Sequence, residues 1–208
     1  MINVLIDKLP TKTIIDGKEY NLKTDFRNCL KAIMAFEDEE LTGSEKAVIM
    51  LQLLYEEIPE NLDEAVKKAI LFLDCGEQEE DKKVGSQKSS NRLYSFSKDA
   101  KYIYSAIKQT HGIDLENVEY LHWWKFVYLF LDLNPDCFFC KIMDLRNKKR
   151  KGTLSKEEKK AYMQLFDIVN LDQKPQFTEE EQKEIDDFMD ALASAEIEVK
   201  EKDGELWW

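Results

Sequence analysis

The sequence predicts a mainly α protein. It reads as a single helical domain over 24–173, an N-terminal β-hairpin region over 1–23 and a C-terminal acidic helical tail over 178–208. Three observations carry this reading. Apolar residues recur at spacings of three and four along most of the chain, the signature of one helical face. Only 7 Gly and 4 Pro interrupt 208 residues, too few breakers for a many-turned sandwich or barrel. One short stretch departs from the helical pattern: Thr11 to Leu22 places Asp16-Gly17 at its centre, and that pair supplies the positive backbone angles of a two-residue hairpin turn. The length suits one domain with an appendage.

Each helix has its own start and stop signals. Thr24 is positioned to cap a first helix with Phe26, Leu30 and Ile33 on one face, ending near Asp38. Ser44 opens a second, with Val48, Leu51 and Tyr55 inward, which stops before Pro59. Asn61 with Glu64 three residues on resembles a capping box, Leu62, Val66, Ala69 and Leu73 form the stripe, and Gly76 terminates it. Residues 77–95 are polar and almost without apolar side chains, so a mobile loop is expected there. A fourth helix runs from about Ser97 to Thr110, with Ala100, Ile103 and Ile107 inward and His111-Gly112 closing it. The fifth, from about Val118 to Leu133, is apolar on nearly every side and should be the enclosed central helix. Asn134-Pro135 starts a sixth with Phe138, Ile142 and Leu145 buried, and Ser155 with Glu158 starts a seventh with Ala161, Leu165 and Ile168 on one face. Lys174-Pro175-Gln176 reads as a linker, after which Thr178 and Glu181 cap an acidic helix whose stripe is Ile185, Phe188, Met189 and Leu192.

Charge narrows the function classes. The formal net charge is −12, and an acidic surface repels phosphate backbones, which disfavours nucleic acid and anionic membranes as partners of the whole protein. Most of the excess lies at the end, where residues 178–208 hold twelve acids against Lys183, Lys200 and Lys202. No apolar run approaches the roughly 20 residues that span a bilayer. Without a secretory leader pattern, Cys29, Cys75, Cys137 and Cys140 are expected as free thiols in the cytoplasm.

Chemistry-bearing patterns are sparse. Cys137-Phe-Phe-Cys140 has metal or redox spacing, but a structural zinc site needs a second pair and none is present, so core packing is expected. Asp132-Leu-Asn134-Pro-Asp136 imitates a calcium loop, yet Cys137 stands where Gly is needed and Met143 where Glu is needed. His111 and His122 are the two near-neutral bases, neither beside a nucleophile in sequence. A non-enzymatic protein without cofactor or metal is therefore expected. One basic segment spans 146–160; its residues Arg146, Lys148, Lys149, Arg150 and Lys151, with the tail stripe Ile185, Phe188, Met189 and Leu192, are candidate partner-binding positions. The acidic tail could itself dock on this basic corner.

Four blocks in order carry a family resemblance. They are Thr24-Asp25-Phe26-Arg27 after the hairpin, Ile58-Pro59-Glu60-Asn61, Gly112-Ile113-Asp114-Leu115, and His122-Trp123-Trp124-Lys125-Phe126. Together they resemble the bacteriophage gene-product-fifteen family, found in tail modules of long-tailed phages and prophages of Gram-positive bacteria. The resemblance implies a tail-assembly protein, foremost a chaperone that coats the tape-measure protein until the tail tube polymerises around it, with the major tail protein as a further partner. It leaves a structural subunit of the tail or baseplate as an alternative, and a nucleic-acid-binding accessory protein using 146–160 as a second. Homo-oligomerisation is compatible with each, and neither a small-molecule substrate nor a membrane is implied. No catalytic residue carries over: Asp25, Phe26, Arg27, His122, Trp123, Trp124, Lys125 and Phe126 are expected to serve the fold.

Overall fold

The computed structural model describes residues 3–77 and 93–171. The mobile-loop expectation over 78–92 and the acidic tail with its stripe, its linker and Trp207-Trp208 lie outside them. The described residues are mainly helical with an N-terminal antiparallel hairpin, as the sequence predicts. The chain divides into two compact units, residues 1–147 and 148–208.

In the first unit, β1 (Lys12–Ile15) pairs with β2 (Lys18–Asn21), Ile15 opposite Lys18, across Asp16 and Gly17. Both turn residues have positive φ, 50° and 78°, which Asp tolerates and Gly adopts freely. The chain then enters α1 (Phe26–Glu37), α2 (Gly43–Leu54) and α3 (Leu62–Leu73), packed in sequence, with α3 also against β1. After the undescribed segment come α4 (Ala100–His111), α5 (Trp123–Leu131) and α6 (Phe138–Lys151), and α5 packs on α1 and α4. The second unit holds the end of α6, then α7 (Lys156–Gln164) and α8 (Phe166–Val169).

Caps account for most boundaries. Thr42 with Glu45, and Ser155 with Glu158, form reciprocal capping boxes for α2 and α7. Asn61 caps α3, and its amide also donates to Asp16 at the hairpin turn (2.9 Å), holding the hairpin to the helix start. Gly112, at φ 69°, closes α4 by donating to the Lys108 carbonyl.

The structure corrects several local expectations. Asp25, not Thr24, caps α1; Thr24 instead hydrogen-bonds Tyr120 and offers its carbonyl to Trp123. The buried face of α3 is Ala65, Ala69 and Phe72, while Leu62 is exposed. Small residues let α3 come close enough for the Tyr55 hydroxyl to donate to the Ala65 carbonyl; of the expected stripe, Ala69 is buried and Val66 and Leu73 pack half-buried against the core. Val48, Ala100 and Phe138 are likewise exposed, the buried face of α6 being Phe139, Ile142 and Arg146. Between Ala161 and Ile168 the expected single helix breaks at Leu165. Most consequential, α5 begins at Trp123 rather than Val118, because residues 120–122 run extended to meet Thr24–Phe26.

Candidate functional site

Two of the sequence blocks meet at one junction. The Phe26 N–H donates to the Leu121 carbonyl and the Trp123 N–H to the Thr24 carbonyl, a short antiparallel bridge centred on Asp25 and His122. The Asp25 carboxylate accepts from the backbone N–H of Arg27 and of Leu121, and Arg27 pairs with it at 3.3 Å. The second guanidinium nitrogen reaches across to donate to the carbonyls of Leu115 (2.9 Å) and Val118 (2.6 Å). Asp25 and Arg27 thus spend their charges on stitching α1 to the chain ahead of α5.

His122 is the N-cap of α5. Its Nδ1 accepts from the Trp124 N–H at 3.1 Å and its Nε2 donates to the Pro10 carbonyl at 3.0 Å, which fixes the neutral ring with the proton on Nε2. Burial pushes its pKa down, aided by the nearby Lys125 charge and opposed by the Pro10 hydrogen bond. The two indoles that follow donate to the end of α3, Trp123 Nε1 to the Leu73 carbonyl (2.9 Å) and Trp124 Nε1 to that of Phe72 (2.8 Å). Tryptophan side chains thereby donate to carbonyls at a helix C-terminus, that of Phe72 also accepting the Cys75 N–H at 3.1 Å. Gly76, at φ 82°, follows close by: a Cβ there would lie 3.1 Å from the Trp124 ring. The whole block is core, with Trp123, Trp124 and Phe126 at most 3% exposed and Lys125 directed outward.

The linkage gives a pH test. A buried His whose pKa falls below the ordinary 6.5 binds its proton more readily unfolded than folded. Its contribution is complete above about pH 6.5 and declines as pH falls below that value. Asp114 does not confuse the window: hydrogen bonds from Tyr104 and Lys108 hold its carboxyl at about 2. Urea midpoints between pH 8 and 5 should fall on the acid side for the native chain and stay flatter for His122→Asn, which keeps a capping acceptor without titrating. Parallel curves for the two proteins would overturn this role.

The thiols are packed into the fold. Cys29 and Cys137 are buried, and the Cys140 N–H donates to Cys137 Sγ (3.4 Å) at the start of α6. Burial pushes the Cys29 thiol up, and raises Cys75 and Cys140 each to about 12, far from thiolate chemistry at neutral pH. Among the described residues no group of three or more His, Cys, Asp and Glu side chains could hold a metal ion.

Arg146, a sequence candidate for partner binding, turns inward. Its guanidinium forms a two-pronged pair with Asp99 (2.7 and 2.9 Å) and donates to the Leu93 carbonyl, and it is 8% exposed. Glu37 at the end of α1 receives the same segment, accepting from Ser95, the Phe96 N–H and Ser97. These contacts anchor the chain where it re-enters the described residues: Tyr94 packs on Phe96 and Phe130, so the last residues of the stretch read as a loop belong to the core. In the second unit, Lys148 pairs with Glu158 (2.6 Å) and Lys149 lies over the Tyr162 ring, while Arg150 and Lys151 are exposed.

One feature went unseen in the sequence. Above the aromatic chain formed by Phe26, Phe126 and Phe130, a cleft of about 480 Å³ opens to solvent. Ile33, Leu73, Trp123, Phe126, Val127 and Phe130 contribute apolar walls, Tyr128 and Leu131 stand at the lip, and Glu37, Asp74 and Glu77 are its acidic members. Sequence reasoning read α5 as enclosed all round; Leu131 is in fact 74% exposed and Tyr128 36%. The signal was present in the unbroken apolar run of α5, which is equally compatible with a helix that is buried on one side and open on another.

Such a fold defines a small, mainly helical protein with an apolar cleft among its described residues. The chain belongs to the bacteriophage Gp15 protein family, whose model matches residues 5–171. That makes it a phage structural or assembly protein. No curated protein and no solved structure matches it. No helix among the described residues is long and apolar enough to cross a membrane.

Proposed function

We propose that the protein is a tail-assembly chaperone that binds the tape-measure protein in the host cytoplasm before the tail tube polymerises, releasing it to the major tail protein. The observation that carries this reading is the open apolar cleft on a charged helical scaffold. A long amphipathic chain awaiting assembly exposes apolar surface that aggregates unless covered, and an acidic partner with such a cleft can cover it while itself resisting association. The groups with chemical potential point the same way: Asp25, Arg27, His122 and Asp99 are committed to the fold, and the described thiols with raised pKa are unreactive. A nucleic-acid role through 146–160 loses support from the inward turn of Arg146 and the Lys148–Glu158 pair.

Quantitative mass spectrometry across fractions of a tail-producing culture tests the proposal. The protein should co-fractionate with the tape-measure protein in free complexes and be missing from finished particles. Stoichiometric retention in purified particles would make it a structural subunit of the tail or baseplate and end the chaperone reading.

A further inference from the structure

Helix α3 carries a second apolar side. Its fully buried residues are Ala65, Ala69 and Phe72, but Leu62, Val66 and Ile70 also recur every four positions along a neighbouring face. Val66 packs half-buried against the core, while Leu62 and Ile70 are 53% and 46% exposed. Residues four apart on a helix form a ridge, and a ridge seats in the groove beside an equivalent ridge on another helix.

The charges beside this ridge choose the occupant. Asp63 and Lys67 stand one turn apart on the same flank, and both are exposed. The Lys67 side chain is 74% exposed and meets Glu64 only at 3.9 Å, so it is free to turn toward an incoming surface. A flank of one sign would call for a partner of the other sign. An acid followed one turn later by a base is instead the complement of its own reverse. When two such helices meet antiparallel, like flanks face each other and each acid comes beside the other's base.

Interdigitation asks for the same alignment. About a two-fold axis level with Ala65, Val66 of each copy seats between Leu62 and Val66 of the other, and Leu62 seats between Val66 and Ile70. That register brings Asp63 of each copy level with Lys67 of the other. One arrangement therefore meets the apolar and the charged requirements together.

We propose that the protein self-associates as a two-fold dimer through α3, with the Leu62, Val66 and Ile70 ridges interlocked antiparallel and Asp63 of each copy pairing with Lys67 of the other. Such an interface is isologous, the same patch serving on both subunits. None of the three ridge residues lines the cleft beside α5, so the dimer and the tape-measure reading stand or fall separately.

Sedimentation of the full chain over roughly 1 to 100 μM should show a concentration-dependent monomer–dimer equilibrium. Ile70→Gln, which alters no charge, should weaken it about tenfold. Asp63→Lys and Lys67→Asp each place like charges opposite one another twice across the axis, and each variant alone should dimerise about tenfold more weakly than the native chain. Mixing the two variants restores both opposite-charge contacts in the mixed dimer, so the mixture should associate about as tightly as the native chain. That recovery requires two folded variants and contact between two chains; neither misfolding nor a segment of the same chain lying on α3 can produce it. A native chain that stays monomeric up to about 100 μM would overturn the proposal. So would a dimer indifferent to Ile70→Gln, or a mixture that associates no more tightly than its components.

Discussion

Asp99→Ala should destabilise the protein by about 3–5 kcal/mol, because it removes the carboxylate that grips the buried Arg146 guanidinium with both oxygens. The pair is 6% and 2% exposed at its side chains, and the guanidinium is held by both carboxylate oxygens and by the Leu93 carbonyl. Asp99 also accepts the Ser95 N–H, so its removal loosens the lead-in to α4 as well. Most of the loss arises from keeping the guanidinium buried without that carboxylate, not from the net value of the ion pair. The double variant Asp99→Leu with Arg146→Met should therefore recover much of the stability, and urea unfolding of the singles and the double measures the coupling. Additive effects of the two single changes would refute the account. Because Arg146 also belongs to the basic segment singled out from sequence, the same series separates structural loss from partner loss: Arg146→Met should unfold more easily, and Arg150→Met should not.

Phe126→Ala is expected to cost about 3–5 kcal/mol as well, by a different route. Its ring stacks on Phe26 at 5.0 Å and on Trp123 at 5.6 Å, and it also meets Phe96 and Phe130. At 1% exposure it joins α1, α5 and the segment before α4, so truncation removes transfer free energy and leaves a void that rigid aromatic neighbours fill poorly. Phe126→Leu should retain most of the volume and cost less than half as much. A destabilisation below about 1 kcal/mol for Phe126→Ala would show that the site collapses and that the aromatic chain is not the organising contact.

How much was legible beforehand depends on the range of the interaction. The Asp16-Gly17 hairpin, the Asn61 and Ser155 caps and the Gly112 stop were readable because each is settled by residues within four positions of one another. Thr24 and Asp25 are both good caps, and choosing between them required residue 120, which takes the Thr24 hydroxyl, and residue 121, whose N–H takes Asp25. The start of α5 was misplaced for the same reason, since residues 120–122 have helical composition but pair with a segment almost a hundred positions earlier. Arg146 looked like one more cation in a basic run; its partner Asp99 is 47 positions away and no local pattern links them.

By itself, then, the chain determined its helical class, its N-terminal hairpin, the Asn61 and Ser155 helix starts, the Gly112 stop and, through four blocks of residues, its family. These follow from backbone preferences and periodicity, which act over a few residues and are written in order. Only the tertiary structure decided which side chains of α3 are fully buried, where the charges of Asp25, Arg27 and Arg146 are spent, and that α5 leaves Tyr128 and Leu131 exposed. Burial and pairing depend on which surfaces meet, and an apolar run states that a helix seeks cover without stating which of its sides the fold will leave open.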